Sequence, residues 1–494
     1  MPDVTVIGAG ISGMTAAAVL AGQGLSVTLV EKAPVAGPLV GGFRRGGLAC
    51  DTGFHLAGAL GEGDALRRYF RFVGIDRHLR LFDAAEEGAL LTRCLSPSFD
   101  ISLGEGVAAV RDRLVEAFGG EAPGIDAFFG TIDRLYRKLP FVGLTEPLDG
   151  RIAVGGVGGA TLAEELAGVT GDPLLAGVLA APTFLYGVSP REAPMAIHAG
   201  VAGSYLRSAR GIAGGGAALV AAFVRVLDER GVTLRLGQGV ESVSAGGGGV
   251  TGVHLEGGEV IPCSAAIATV HPRLAVRLAP EGAFRPAMAT HLAALEESMT
   301  ACVLHATCEK WHEAFGRRNL VVMPTPDAFD HPMGGPLCSR PLYLAPSPTA
   351  AEGDSPTGFT VIVPIDPGEM APWSISRHGG RPAAYGAFKE SIATATAKLL
   401  YDALPELEGA FRFIDIATPL TYRDLAGSAT GSLYGVKHRI GQINPLPVTR
   451  TRGFFLAGQA VGAPGIMGAM ISAFMASGQI LGLDEIRKGL EGAS

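Results

Sequence analysis

Apolar positions along this chain come in short unbroken runs, separated by stretches of small residues and glycine. Val4–Ile7 is the first run, four consecutive β-branched residues. A strand that is apolar on both sides must be covered on both sides, which is the pattern of a buried parallel strand. Alanine-rich Thr15–Ala21 predicts a helix that Gly24 ends, and Ser26–Val30 predicts a second strand closing on Glu31. Near the other end, Phe454–Ala457 reads as a buried strand stopping at Gly458, followed by a helix over Ile466–Leu481. The apolar run Ile466–Leu483 is shorter than the roughly 20 residues a membrane span needs. It is also interrupted by Gly468, Ser472, Ser477, Gly478 and Gln479, so it predicts a soluble core helix. In the middle, Gly246–Gly249 lies between two alternating segments and predicts a hairpin, while Pro324–Pro367, rich in Pro, Asp, Ser and Gly, predicts loops over a mixed sheet.

The turn between the first strand and helix reads Gly8-Ala9-Gly10-Ile11-Ser12-Gly13. Gly8 permits the tight turn, Gly10 lets the backbone approach a pyrophosphate, and Gly13 lets helix and strand pack closely. The helix start offers unpaired N–H groups and a positive dipole end to the diphosphate. Glu31, with Lys32 beside it, follows 18 residues after Gly13, where a carboxylate can accept hydrogen bonds from ribose hydroxyls and disfavours a 2′-phosphate. This motif does not by itself separate FAD from NAD. Two further segments select FAD. One is Gly41-Gly42-Phe43-Arg44-Arg45 with Asp51-Thr52-Gly53-Phe54-His55 after it; the other is Gly453–Gln459 followed by Pro464–Met470. A helix starting at Ile466-Met467 would direct its N-terminus at the flavin edge that gains negative charge on reduction. Gly155–Ala160 is a third glycine-rich stretch, but no acidic residue follows at the right distance, so it reads as a turn before a helix over Thr161–Ala167.

Composition narrows the setting. The 494 residues suffice for two or three domains, and 48% hydrophobic residues with a mean hydropathy of +0.31 can fill a large core and still line an apolar cavity. The net charge of −7, with no basic run carrying interleaved aromatics, argues against nucleic acid. Six scattered cysteines without a Cys-x-x-Cys pair predict neither a disulfide framework nor a metal site and fit a reducing cytoplasm. Met1–Gly8 runs directly into a strand pattern, which predicts no secretory signal.

Together, the glycine-rich start, the Gly-Gly segment with Asp-x-Gly-x-His, and the C-terminal Phe-Leu-Ala-Gly-Gln…Pro-Gly-Ile-Met-Gly-Ala resemble the phytoene desaturase, carotenoid isomerase and retinol saturase group of the flavin amine oxidase superfamily. The resemblance covers residues 1–75 and 415–485 strongly and the middle faintly. It implies an α/β fold in which a doubly wound (Rossmann-like) FAD-binding domain, from 1–72, 205–278 and 412–494, is interwoven with an α+β substrate domain from 73–204 and 279–411. It further implies that Val240 sets its backbone against the adenine. Where many members have Gly-Gly-Arg, this chain has Gly41-Gly42-Phe43, which would pass the pyrophosphate contact to Arg44 or Arg45. Gln459 replaces the acidic residue common after Gly458, as in the saturase and isomerase branch. Amine oxidases of the superfamily place a cage tyrosine where this chain has Ile466, so cation–π recognition of an amine is lost on that side.

The resemblance therefore implies an FAD-dependent oxidoreductase acting on an apolar polyene or isoprenoid by desaturation, saturation or isomerisation, with an electron partner that the motifs do not specify. Gly458, Gln459, Ile466 and the Met467 backbone are expected against the flavin. His55 is the first candidate for proton transfer beside it; Asp51 is expected to fix its turn. Tyr434, Lys437 and His438 are expected to close a substrate tunnel, and the apolar segment Pro173–Tyr186 to offer peripheral membrane contact. Two other readings remain: a flavin amine oxidase, and a non-catalytic prenyl-binding protein of the kind represented by the Rab escort and GDP-dissociation-inhibitor proteins. Intact segments at both ends of the FAD site speak against the second.

Overall fold

The computed structural model describes residues 3–83, 92–144, 159–312, 319–349 and 356–493. Val4–Ile7 is buried at all four positions and lies in the middle of a five-stranded sheet. Val27–Val30 pairs with it on one side and Ala265–Ala268 on the other, with Thr233–Arg235 and Phe454–Leu456 outside them, every pair parallel. Numbered along the chain, the five strands lie in the order 3-2-1-4-5, the doubly wound arrangement that opens a ligand crevice beside the first strand. Between Thr233–Arg235 and Ala265–Ala268 the chain makes an antiparallel three-stranded sheet, Val240–Gly246, Gly249–Leu255 and Val260–Pro262. Gly246 pairs with Gly249 at the hairpin the glycine-rich turn predicts.

The helix Ile11–Gly22 is buried continuously from Ile11 to Leu20 because it packs on the strands and also on the C-terminal helix Gly465–Leu481. Small residues on both helices (Ala16, Ala17, Ala473, Ala476) let them approach closely. The approach brings Ser12 Oγ within 2.9 Å of Ser472 Oγ. Residues 460 apart thus form one unit around the nucleotide turn.

A second sheet has seven strands, in the order Phe411–Ala417, Ala301–Cys308, Gly358–Pro364, Leu342–Pro346, Asn319–Val322, Thr92–Ser96, Phe99–Leu103. Only Asn319–Val322 and Thr92–Ser96 run parallel; the other pairs are antiparallel. Both faces are covered. Cys302, Leu304, Leu342, Leu344, Val361 and Val363 share one core with Ile392 and Leu400 of the helix Ala383–Ala403. The alternate positions Ala301, Val303, Tyr343, Ala345 and Ile362 join the main core, with helices Val107–Ala117, Ala122–Arg137 and Met195–Arg207. This is strand periodicity read on two buried sides. Two of these strands lie inside Pro324–Pro367, where the sequence predicts loops. The prolines cluster in the connections and at the ends, Pro346 and Pro364, while the strands themselves are buried. Phe411–Ala417, which straddles the boundary expected at 412, is the edge strand of this sheet. Among the described residues no helix is long and apolar enough to cross a membrane, and no cluster of His, Cys, Asp and Glu is placed to hold a metal.

Candidate active site

Gly8 has φ of 102° and its N–H bonds the Val30 carbonyl (2.8 Å), so the chain leaves the first strand in a turn closed to ordinary side chains. A Cβ on Gly13 would stand 1.8 Å from the Gly8 carbonyl oxygen. A Cβ on Gly10 would meet nothing within 4 Å. One glycine lets protein pack against protein; the other leaves space in front of the helix N-terminus, where a pyrophosphate fits. Ile11 and Ser12 complete the first turn of that helix, but the Ser12 side chain faces Ser472 and only its backbone is left for a phosphate. Glu31 accepts the N–H groups of Ala9 and Ala33, both at 2.8 Å, tying the turn to the end of the second strand. The Glu31 carbonyl accepts Gln238 N–H (2.9 Å), which holds the segment leading to Val240 beside the end of the second strand. Gln238 Oε1 is buried there without a partner among the described residues. Lys32 is exposed and paired with Glu256 (3.0 Å).

Gly41 N–H bonds the Gly37 carbonyl and Gly37 N–H bonds the Ala9 carbonyl, both at 2.8 Å, so the Gly-Gly segment hangs from the nucleotide turn. Gly42 leads into a hairpin of Phe43–Arg45 with Leu48–Cys50. Both candidate arginines are engaged elsewhere: Arg44 is exposed and donates to the Gly47 carbonyl (2.8 Å), and Arg45 pairs with Asp415 (2.9 Å). The bond shown for the Asp51 carboxylate is to a distant element and not within its own turn. The carboxylate accepts Gly216 N–H (3.0 Å) at the start of the helix Gly215–Glu229, and burial pushes its pKa up to about 7.

At the other end, Gly458 has φ of 118° and donates its N–H to Ser472 Oγ (2.8 Å), the hydroxyl that meets Ser12. His438 Nε2 lies 2.7 Å from the Gln459 carbonyl, and burial lowers the His438 pKa to about 4. The loop before the flavin strand is thus anchored and not solvated. Ile466 and Met467 are half-buried in the first turn of the C-terminal helix. The open space at Gly10 fits a bound FAD, and Gln238 Oε1 and Thr52 Oγ1 are buried polar atoms with no partner among the described residues.

His55 lies at the seam between the two sheets. Burial and the neighbouring His305 lower its pKa to about 4, and its ring is 6.0 Å from that of Tyr343. His305, also lowered to about 4, bonds Thr360 Oγ1 (3.0 Å) and meets the ring of Phe43 edge-on at 5.2 Å. Beyond Tyr343 lies an apolar cavity of about 120 Å³, partly open to solvent. Leu56 and Tyr343 bound it near His55; Leu103, Phe128, Phe129, Val178 and Leu185 form its walls. The sequence analysis did not find this cavity, because its walls come from separate segments with no shared motif. The segment Pro173–Tyr186 faces inward: Leu175, Val178, Leu179, Phe184 and Tyr186 are buried, and Val178, Leu179 and Leu185 line the cavity.

Tyr434 does not present its hydroxyl to the cavity; it donates to the Phe184 carbonyl (2.8 Å), and Phe184 stacks on Tyr343 at 5.8 Å. Lys437 sits between Glu192 (3.0 Å) and Glu296 (3.5 Å), an ion cluster that Arg439 joins through Glu296 (2.6 Å). Of the Gly155–Ala160 stretch, Gly155–Gly158 lie outside the described residues. The helix after it, Leu162–Val169, is N-capped by Thr161 with a reciprocal bond from Glu164.

A doubly wound parallel sheet, an opening at its first turn and a C-terminal strand and helix returning to the same crevice define an FAD-dependent oxidoreductase. Residues 11–325 match the flavin containing amine oxidoreductase family, and the chain belongs to that family. Over 97% of its length it is 25% identical to human all-trans-retinol 13,14-reductase, of which 85% is covered. It is 27% identical to phytoene dehydrogenase of Streptomyces griseus, with 90% of this chain and 87% of that one aligned. Among solved structures, an oxidoreductase from Methanosarcina mazei superposes with a TM-score of 0.65 at 15% identity, covering 95% of this chain and 98% of the other; that likeness concerns the fold.

Proposed function

We propose that the enzyme acts on carbon–carbon bonds of an apolar polyene or isoprenoid chain, by desaturation, saturation or isomerisation. The observation that carries this reading is the apolar cavity that ends at Leu56 and Tyr343 beside His55. The named activities of the retinol reductase and phytoene dehydrogenase relatives agree with it. Bound FAD supplies the redox chemistry. In this reading Gly8–Gly13, Glu31 and Val240 hold the nucleotide half, with Lys32, Gly41, Gly42, Phe43 and Arg44 bordering it. Gly458, Gln459, Ile466 and Met467 border the ring system. The cavity walls hold the substrate and exclude water. His55, neutral and with Nδ1 without a partner among the described residues, accepts or returns a proton at the seam. Tyr434 positions Phe184 and, through it, the ring of Tyr343.

The test is the absorption spectrum of the FAD-loaded protein, followed without oxygen as a panel of polyenes is added. Bleaching of the flavin band marks desaturation. With pre-reduced enzyme, reoxidation with loss of a double bond marks saturation, and a cis/trans change without reoxidation marks isomerisation. Absence of all three across the panel, together with peroxide release from amines, refutes the reading in favour of an amine oxidase.

A further inference from the structure

The cavity wall is apolar apart from a few polar groups, and two of those are buried with hydrogen-bonding capacity unused. His198, on the helix Met195–Arg207, is fully buried and lines the cavity. Its Nδ1 lies 3.0 Å from the hydroxyl of Tyr186, itself fully buried, and its Nε2 has no partner among the described residues. The Tyr186 hydroxyl has this imidazole as its one partner among the described residues. Its proton therefore points at Nδ1, and a neutral ring carries its own proton on Nε2. Burial, which lowers the His198 pKa to about 3, keeps the ring neutral. Asn319 starts a strand that lines the same cavity, is 5% exposed, and has its Oδ1 without a partner among the described residues.

We infer that His198, oriented by Tyr186, is a specificity-determining residue that donates from Nε2 to an oxygen carried by the substrate, and that Asn319 supplies an acceptor in the same cavity. This inference rests on the cavity being the substrate site. Leaving a buried donor unmatched is costly, whereas the hydrophobic gain of the cavity is the same for any chain of the right length. A polyene alcohol can both accept from His198 and donate to Asn319. An aldehyde can only accept, and a hydrocarbon does neither. The preferred ligand is therefore an isoprenoid alcohol, with the aldehyde next and the hydrocarbon last.

The experiment measures binding of an alcohol, its aldehyde and the hydrocarbon of equal length to the FAD-loaded protein, through the shift of the flavin spectrum. The native protein is expected to favour alcohol over hydrocarbon by about tenfold or more, the ratio that one net hydrogen bond supports. His198→Leu is expected to reduce that ratio severalfold, leaving what Asn319 contributes, while hydrocarbon binding holds or improves. His198→Gln, which keeps a donor, is expected to restore part of the ratio and guards against a variant that misfolds. Tyr186→Phe, which frees the tautomer, is expected to raise KM for the alcohol more than it lowers kcat. An unchanged ratio in His198→Leu overturns the inference, as does a native protein that binds alcohol and hydrocarbon equally; in both cases the cavity reading survives. A native protein that binds none of the three overturns both.

Discussion

Gly10 and Gly13 lie three residues apart in one turn, yet the structure assigns them opposite tasks, and replacing each by alanine separates the two. In Gly13→Ala the new Cβ would be 1.8 Å from the Gly8 carbonyl oxygen. Ordinary contact needs about 3.5 Å, so the helix Ile11–Gly22 must recede by roughly 1.5 Å. Receding strains the Ser12–Ser472 bond (2.9 Å) and the bond from Thr269 Oγ1 to the Gly8 carbonyl (3.0 Å). Overpacking of this kind costs about 1–3 kcal/mol and a lost buried hydrogen bond about 1 more. The FAD-free protein is expected to melt roughly 2–4 °C lower. Gly10→Ala differs in every respect. Gly10 has φ of −73° and ψ of −179°, which alanine adopts freely, and its Cβ would touch nothing within 4 Å. The melting temperature of the FAD-free protein is expected to stay within about 1 °C, because neither packing nor backbone is disturbed. The methyl group instead takes the space reserved for the pyrophosphate, and FAD affinity is expected to fall about 10–100-fold, or ~1.4–2.8 kcal/mol. Thermal melts of the deflavinated variants and quenching of FAD fluorescence on titration measure the two effects separately. A Gly10→Ala protein that binds FAD as tightly as the native one would refute the assignment of that opening to the cofactor.

Three further outcomes follow from the same geometry. Ser472→Ala removes the hydroxyl that receives Gly458 N–H and meets Ser12; a loss of about 1–3 kcal/mol in urea unfolding is expected, together with weaker FAD retention. Asp51 has its folded pKa raised from 3.8 to about 7, so it contributes most below pH 4 and its contribution is lost as pH rises through 7; Asp51→Asn, which still accepts Gly216 N–H, is expected to flatten the stability–pH curve between 4 and 7. His55, His305 and His438, lowered to about 4, and His198, to about 3, are neutral in the fold; as pH falls below the ordinary 6.5 the unfolded chain takes up protons first, so stability present at pH 7 is expected to drop between pH 6.5 and 4, by up to about 1.4 kcal/mol per pH unit for each, and urea midpoints across that range check it.

The parts of the fold that were legible in the sequence are those where a local backbone demand restricts the residue type. Gly8 needs a positive φ, Gly13 needs the absence of a Cβ, and Glu31 must reach back to Ala9 N–H; each leaves a mark at a fixed spacing. The hairpin at Gly246–Gly249 and the C-terminal strand and helix were legible for similar reasons. The seven-stranded sheet was harder to read. Leu342–Pro346 and Gly358–Pro364 are covered on both faces, so they show no polar alternation, and the proline-rich connections around them dominated the composition of the region. The cavity was illegible for a different reason. Leu56, Phe128, Leu185 and Tyr343 meet only through the tertiary fold, and an apolar residue lining a cavity has the same chemistry as one filling a core. Arg44 and Arg45 show the limit from the other side: their charge suggested a phosphate, and the positions of Gly47 and Asp415, which decide where they point, are not a local property.

The electrostatics of the seam also bear on what can react there. Burial shifts several of the titratable groups that the N-terminal unit and the seven-stranded sheet bring together toward their uncharged forms. Burial lowers His55 and His305 to about 4, raises Cys50 to about 11 and moves Asp51 up to about 7. Asp415, the carboxylate that acts on His305, is already paired with Arg45 at 2.9 Å. An ammonium group brought to this seam would lose its hydration and meet no free carboxylate among these residues, a cost of several kcal/mol. A polyene brought to the same place loses only contact with water, which favours its entry. What the seam offers a substrate is shape, ring contact and the neutral imidazoles of His55 and His305. That combination discriminates against amines and suits proton transfer at the end of an apolar chain.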